Sequence, residues 1–354
     1  MPWSCLNPWV PTQMTESPRL SASDYDLNFP FAYGGPDIQA DFRSTPEDFF
    51  VDECLGFEPC GEGEHVFLHL EKRGDNTDWL ARQIARLADV QPMDVGFCGL
   101  KDRHAVTRQW FSVYLPKGEE PEWTELNSES VCLLANTRHR QKLRRGQHRG
   151  NRFEITLRNI TGELSAEKID AILQGGVPNY FGEQRFGFGG NNLYEADILL
   201  RGEKKIKNRQ RRGMLLSAAR SWLFNSVLAE RLNRDKQAWS TPMNGESENQ
   251  ASGPLWGRGR SLVSAEALAL EETVLAPWKH WCEALEHVGL KQQRRSLLLS
   301  PETASWHWIS AEEGQAGKGL RLAFELPPGT YATAVLRELS RLNNLSSPRP
   351  DAGQ

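Results

Sequence analysis

Asp102 lies in the run Gly99-Leu100-Lys101-Asp102-Arg103-His104-Ala105-Val106-Thr107-Arg108-Gln109-Trp110, between two cationic neighbours. Positive charge on both sides favours the carboxylate anion, and an exposed anionic Asp is a candidate nucleophile or base. The bland alternative is a solvated turn leading into a strand, because short motifs recur by chance. Two further segments bear on the choice. From Arg138 to Arg152 there are seven basic residues (Arg138, Arg140, Lys142, Arg144, Arg145, Arg149, Arg152) and no acid. From Lys204 to Arg212 there are six more, again with no acid. Such runs usually form a solvated face. Two of them on a chain of net charge −4 point instead to a polyanion footprint. Arg138, Lys142, Arg144, Arg145 and Arg149 are the candidate phosphate contacts. Beside them, Asn151 can present a donor and an acceptor to a base edge. Phe153 offers a π-face on which an extruded base could stack, an interaction of roughly 1–3 kcal/mol. Strand periodicity favours a different role, with Phe153 as a first core position and Asn151 as a turn residue.

Other chemistries are poorly supplied. The six cysteines (Cys5, Cys54, Cys60, Cys98, Cys132, Cys282) form no C-x-x-C pair and no zinc spacing. No metal is therefore expected, and reduced thiols fit a cytoplasmic protein. No stretch approaches the ~20 apolar residues that span a bilayer, so no membrane partner is expected. Residues Met1 to Ser23 have no continuous apolar segment and are expected to be a loose arm without a secretory signal. The glycine-studded segment Asn179–Gly190 lacks the Gly-Lys-Ser/Thr ending of a phosphate-binding loop. Aromatics between its glycines suggest close packing at a domain junction, with Arg185 held among them.

The elements that must position these residues follow from periodicity. Phe49–Val51, His65–Leu70, Gln109–Leu115 and Phe153–Leu157 alternate or cluster as strands, which places Asp102 in the loop feeding the third of them. Asn76 or Thr77 can cap a helix bearing Leu80, Ile84, Leu87 and Ala88, with Pro92 ending the unit. A short helix is expected over Ser165–Gly175. Composition shifts at Gly176-Val177-Pro178. Beyond it come a helix over Met214–Leu232, a long surface loop over Ser240–Gly259 and a helical stretch over Ser264–Val288. Strand patterns return at Leu297–Leu299 and Leu320–Leu326, followed by a helix from Thr330 to about Leu342. Strands, then helices, then strands indicate a helix-rich domain inserted into an α+β domain. The expected division is an arm over 1–25, a catalytic domain over 26–176 and 296–345, an inserted domain over 177–295, and a tail over 346–354.

Several of these segments, in this order, resemble the tRNA pseudouridine synthase D family. They are Pro46-Glu47-Asp48-Phe49, Gly61-Glu62-Gly63-Glu64-His65, the Gly99–Thr107 run, Gly150-Asn151-Arg152-Phe153, Pro178–Gly187 and Ala332–Leu339. Thr241–Ala276 and the first 25 residues carry no recognised family residues. The resemblance implies a pseudouridine synthase α+β catalytic domain with a mostly antiparallel sheet, plus an inserted helix-rich α/β domain. It also implies a monomer needing neither cofactor nor metal, which isomerises uridine-13 in the D-arm of tRNA. Asp102 takes the position of the family's catalytic aspartate. Phe49, Asn151 and Tyr331 match positions lining the uridine pocket, and position 331 is commonly Phe, so the Tyr331 hydroxyl needs a partner if buried. Arg43 falls where a basic residue is expected to pair with Asp102. A non-catalytic RNA-binding or RNA-folding protein is the competing class, but backbone binding alone does not require that acid. A glycosidase or nuclease would want a second carboxylate or a metal site.

Overall fold

The computed structural model describes residues 21, 25–116, 119–310 and 317–346. Ten strands join in one sheet: β1 (Ile38–Phe42), β2 (Phe49–Cys54), β3 (His65–Arg73), β4 (Val95–Phe97), β5 (Val106–Tyr114), β6 (Val131–His139), β7 (Gly150–Gly162), β8 (Glu302–Ile309), β9 (Lys318–Leu326) and β10 (Ser340–Asn344). The strand order is β8-β9-β7-β2-β5-β3-β6, with β4 beside β5 and β1 between β7 and β10. Only β1–β10 and β2–β5 are parallel. The remaining pairs run antiparallel. Three helices belong with this sheet: α1 (Thr77–Leu87), α2 (Ala166–Gly175) and α3 (Ala332–Leu339).

The described residues of Pro30–Gly182 and from Ser296 onward form one compact unit. Glu183–Arg295, with the described residues before Pro30, form the other. Val177 to Gly182, expected in the insertion, therefore group with the sheet, because Val177–Pro178 pair with Leu299–Leu298. The second unit is helical over Asn191–Leu200, Arg209–Arg234, Ala265–Leu275 and Lys279–Glu286. Its longest helix starts five residues before the expected Met214, because Asn208 caps it by accepting from the Arg211 N–H at 2.9 Å. The expected loop over Ser240–Gly259 contains a strand, Ser252–Leu255, paired with Gln293–Ser296. Tyr25, the last residue of the expected arm, is buried here beside Trp222, Trp278 and Trp281. The rest of the arm, Ser21 aside, and the tail beyond Ser346 lie outside the described residues.

Most of the core lies on one face of the sheet, with a smaller cluster around Phe67 on the other. Register places Phe49, Val51 and Glu53 of β2 opposite Ile155, Phe153 and Asn151 of β7. Val51 also faces Thr107 of β5, which faces Lys72 of β3. On the β1–β7–β9 side, helices α2 and α3 seal this face with Ile169, Ile172, Val335, Leu336 and Leu339. On the β3–β5 side, α1 seals it with Leu80, Ala81 and Ile84. Asn76 caps α1 by accepting from the Asp78 N–H at 2.8 Å, as its sequence suggests. Between the two covers the inward positions turn polar. Glu53, Lys72, Thr107 and Gln109 are all buried there, and Asn151 is half-buried. Burying polar groups costs free energy that hydrogen bonds offset for Glu53, Lys72 and Gln109, so this row marks where the fold gives up apolar burial for something else.

Candidate active site

The Gly99–His104 loop passes over that polar row and is moored to it. Gln109 donates through Nε2 to the Gly99 carbonyl at 2.5 Å, and its Oε1 accepts from the Thr77 hydroxyl at 3.1 Å. The Thr77 hydroxyl in turn accepts the Lys101 N–H at 3.0 Å. Lys72 Nζ donates to the Asp75 carbonyl at 2.7 Å and to the Asp102 carbonyl at 3.2 Å. The backbone on both sides of the Lys101–Asp102 peptide is thereby fixed from beneath. Burial pulls the Lys72 ammonium down to about 8, against the opposing pull of the Asp75 and Asp102 carboxylates.

Asp102 itself reaches outward. Its side chain is 44% exposed, and Oδ2 accepts from Arg43 Nη2 at 2.5 Å. Arg43 is 5% exposed at its side chain and lies over the Phe42 and Phe49 rings, 4.8 and 4.4 Å from their centroids. Its φ is +60°, in the left-handed region that costs a non-glycine residue roughly 1–2 kcal/mol. The strained backbone aims a buried cation at the exposed acid, which is the geometry the resemblance implied for Arg43 and Asp102. Neither sequence neighbour forms that contact. Arg103 donates to the Gly74 carbonyl at 3.1 Å. Lys101 turns inward, giving Nζ to Glu53 Oε2 at 2.5 Å and to Asn151 Oδ1 at 2.7 Å.

Asn151, the second residue of β7, follows Gly150, where a Cβ would lie 2.6 Å from the Leu326 carbonyl. Glycine there lets β9 approach closely enough to hold Asn151 in register with Glu53. Asn151 Nδ2 lies 3.4 Å from His148 Nε2. Burial, reinforced by Lys101, holds the His148 imidazole down at about 4, so it is neutral at physiological pH. Burial pushes the Glu53 carboxyl up, opposed by Lys101 and by the Trp110 N–H, which donates to Oε1 at 3.2 Å.

Two aromatic candidates are buried. Phe153 is buried among Phe49 and Phe324, at 6.0 and 5.8 Å between centroids. It is the strand core residue that periodicity favoured, and its faces are taken, which corrects the expectation of a base-stacking platform. Phe49 is also buried, beneath Arg43 and edge-on to Phe42 at 5.4 Å. It forms the floor of the site, covered by the guanidinium. Tyr331 is half-buried at the N-terminus of α3, with its ring 6.2 Å from Phe181.

The basic run divides similarly. Arg138 is engaged by Glu120 and by the Gly63 and Leu115 carbonyls. Lys142 donates to the Met93 carbonyl. Arg149 lies 3.5 and 3.7 Å from Glu325 and Glu302. Arg144 and Arg145 are exposed, and neither has an acidic partner among the described residues; Arg145 lies over Phe97 at 5.6 Å. With His65, Arg140, Lys142 and Gln147 they line an open pocket. Glu53 and Lys72 are the site residues that sequence reasoning missed. Glu53 was detectable as the third inward position of the alternation Phe49-Val51-Glu53, and Lys72 as the polar residue continuing Val66-Leu68-Leu70.

Two expected outcomes follow from this framework. Lys72→Met should leave tRNA affinity within about twofold while slowing single-turnover chemistry roughly tenfold or more. It strips the Asp75 and Asp102 carbonyls of their shared donor, an effect of about 1–3 kcal/mol. An unchanged rate would show that the Asp102 backbone needs no such anchor. His148 titrates lower folded (about 4) than at the ordinary 6.5. Between those values the unfolded chain binds a proton that the folded chain refuses, so stability falls as pH drops through this window. His148→Gln should flatten that part of a melting-temperature profile; a parallel decline would assign acid lability elsewhere.

Among the described residues no helix is long and apolar enough to cross a membrane, and no three His, Cys, Asp or Glu side chains gather to hold a metal ion. The architecture is α+β, a large and mostly antiparallel sheet with helices on one face and a helix-rich insertion. The same fold occurs in a crystal structure of a Methanosarcina mazei protein bearing the name tRNA pseudouridine synthase D. The match has a TM-score of 0.63 at 20% identity and covers 87% of this chain and 95% of that one. The family model described as tRNA pseudouridine synthase D (TruD) matches residues 28–205 and 246–339. Most of Thr241–Ala276, where no family residues were recognised, thus lies inside the match, and 206–245 fall outside it. The tRNA pseudouridine synthase D of Cellvibrio japonicus is 53% identical over 332 residues, covering 92% of this chain and 96% of its own. That of Methylococcus capsulatus is 45% identical, covering 92% and 97%. The chain belongs to the tRNA pseudouridine synthase D family.

Proposed function

We propose that this chain isomerises uridine-13 in the D-arm of tRNA to pseudouridine, with Asp102 as the catalytic aspartate. The carrying observation is the one exposed carboxylate in the moored Gly99–His104 loop, clasped at 2.5 Å by the buried Arg43 above the polar row. The reaction is a balanced isomerisation. The N1–C1′ bond breaks, the uracil turns, a C5–C1′ bond forms, the C5 hydrogen leaves and N1 gains a proton. Such chemistry needs an anion that can attack C1′ or the base, or remove a proton, and Asp102 is the exposed carboxylate available for it. Arg43 aims the carboxylate and supplies fixed positive charge beside it, which costs no reorganisation during reaction. A base within folded RNA must first be flipped out, at a few kcal/mol. Asn151 and Tyr331 rim the receiving site, and Phe49 beneath Arg43 supports the guanidinium from below. The direct test is tritium release from C5-labelled uridine in two unmodified tRNA transcripts, carrying uridine or cytidine at position 13. Release from the first alone is expected; equal release from both would place the target elsewhere.

Backbone binding falls to the exposed cations. RNA affinity should drop steeply with salt, and replacing both Arg144 and Arg145 by Gln should flatten the log–log slope by at most about one unit for each lost contact. An unchanged slope would remove this pocket from the footprint. The competing reading, a non-catalytic RNA-binding protein, explains those cations but leaves the Asp102–Arg43 clasp without purpose.

A further inference from the structure

We propose that Lys101, held by Glu53, is a positioning residue that fixes which way the Asn151 amide faces, and so makes the pocket select a carbonyl over an amino group on the flipped pyrimidine. This rests on the reading above that Asn151 meets the base.

The orientation of a side-chain amide is settled by its partners. Lys101 Nζ, 2.7 Å from the Asn151 amide, carries donors and no acceptor, so the group facing it must be the oxygen. Lys101 has little freedom to move. Its side chain is 6% exposed, and Nζ is tied at 2.5 Å to Glu53, whose carboxylate is fully buried. Glu53 is fixed in turn, because Oε1 accepts the Trp110 N–H. Cross-strand register sets Glu53 directly opposite Asn151, so one ammonium bridges both. On the other side of the amide, Nδ2 lies 3.4 Å from His148 Nε2. Burial keeps the His148 ring neutral, and in its Nδ1-protonated tautomer Nε2 is the acceptor. Oxygen toward lysine and nitrogen toward histidine are therefore mutually consistent.

What remains for a ligand is the second Nδ2 hydrogen. A donor fixed in this way suits the C4 carbonyl of uracil and opposes the amino group that cytosine carries at the same place. A rotated amide would offer the reverse. The lysine lies behind Asn151 and reads the base only through it. A buried ion pair replaces well-packed apolar groups at little or no gain in stability, which makes its retention at this inward position intelligible as orientation rather than as core packing.

The test measures binding of full-length protein to two unmodified tRNA transcripts, with uridine or cytidine at the target position, in an Asp102→Asn background that prevents turnover. The parent should favour uridine about tenfold, the worth of one well-formed hydrogen bond. Lys101→Met combined with Glu53→Gln removes both charges together, so that neither is left buried alone. This variant should bring the two affinities within about twofold by admitting cytidine, whereas a merely structural loss would weaken both equally. Asn151→Asp keeps the ammonium contact but puts an acceptor where the donor was. It should lose the uridine preference even if the double variant fails to fold. Discrimination retained by either variant overturns the proposal. Asn151→Ala separates the two levels: if it too keeps the full uridine preference, Asn151 does not meet the base and the pocket reading itself fails.

Discussion

Asp102→Asn is expected to lower pseudouridine formation by several orders of magnitude while leaving the fold and tRNA affinity near those of the parent. The amide preserves size, and its oxygen can still accept from Arg43 at the position Oδ2 now occupies. The loop stays moored through Gln109, Thr77 and Lys72, none of which touches the Asp102 side chain. Only the anion is removed, and neither attack nor proton removal has a substitute in an amide. Tritium release and tRNA binding measured on one preparation separate the outcomes. Near-parental release would remove Asp102 from the chemistry. Loss of binding together with release would make its role structural.

Arg43→Met should have the next largest effect, a fall of about a hundredfold or more in single-turnover rate with modest change in affinity. Arg43 is the side chain that aims the Asp102 carboxylate, and misplacing a reacting group by about 1 Å can cost that much. Methionine keeps the contact with the Phe42 and Phe49 rings, so packing should survive. Arg43→Lys restores the charge without the planar fork and should recover part of the rate. Equal defects in both variants would show that fork geometry matters rather than charge alone. A parental rate in Arg43→Met would contradict the clasp as a catalytic feature.

Much of this site is legible in the sequence because its landmarks are local. Asp102 in its cationic loop, the glycine before Asn151 and the cap at Asn76 are all properties of adjacent residues. Arg43 paired with Asp102 was implied only through the family likeness, because 58 intervening residues separate them and register alone brings them together. Long-range pairing hides the rest. Lys101 appears in the sequence as Asp102's cationic neighbour, yet it turns inward to Glu53 and Asn151. Phe153 could be read as a strand core position, but the rings that close over it, Phe49 of β2 and Phe324 of β9, come from distant strands. Strands β1, β4, β6, β8 and β10 were missed for related reasons. In β6, at an edge, the continuous run Val131-Cys132-Leu133-Leu134-Ala135 gives way to polar residues, which leaves no clear alternation. β10 follows α3 without a break, so the expected helix ran past its true end at Leu339. The helical stretch Ser264–Val288 is divided at Pro277 for the usual reason that proline cannot donate within a helix.

The central claim, uridine-13 isomerised by Asp102, is tested most directly by mapping pseudouridine at single-nucleotide resolution in total tRNA from cells lacking this protein. The cells are then supplied with either the parental chain or Asp102→Asn. The account predicts that pseudouridine-13 disappears on deletion, returns with the parental chain and stays absent with the variant, while other pseudouridines are unchanged. Position 13 still modified in the deleted cells, or restored equally by both chains, would contradict it.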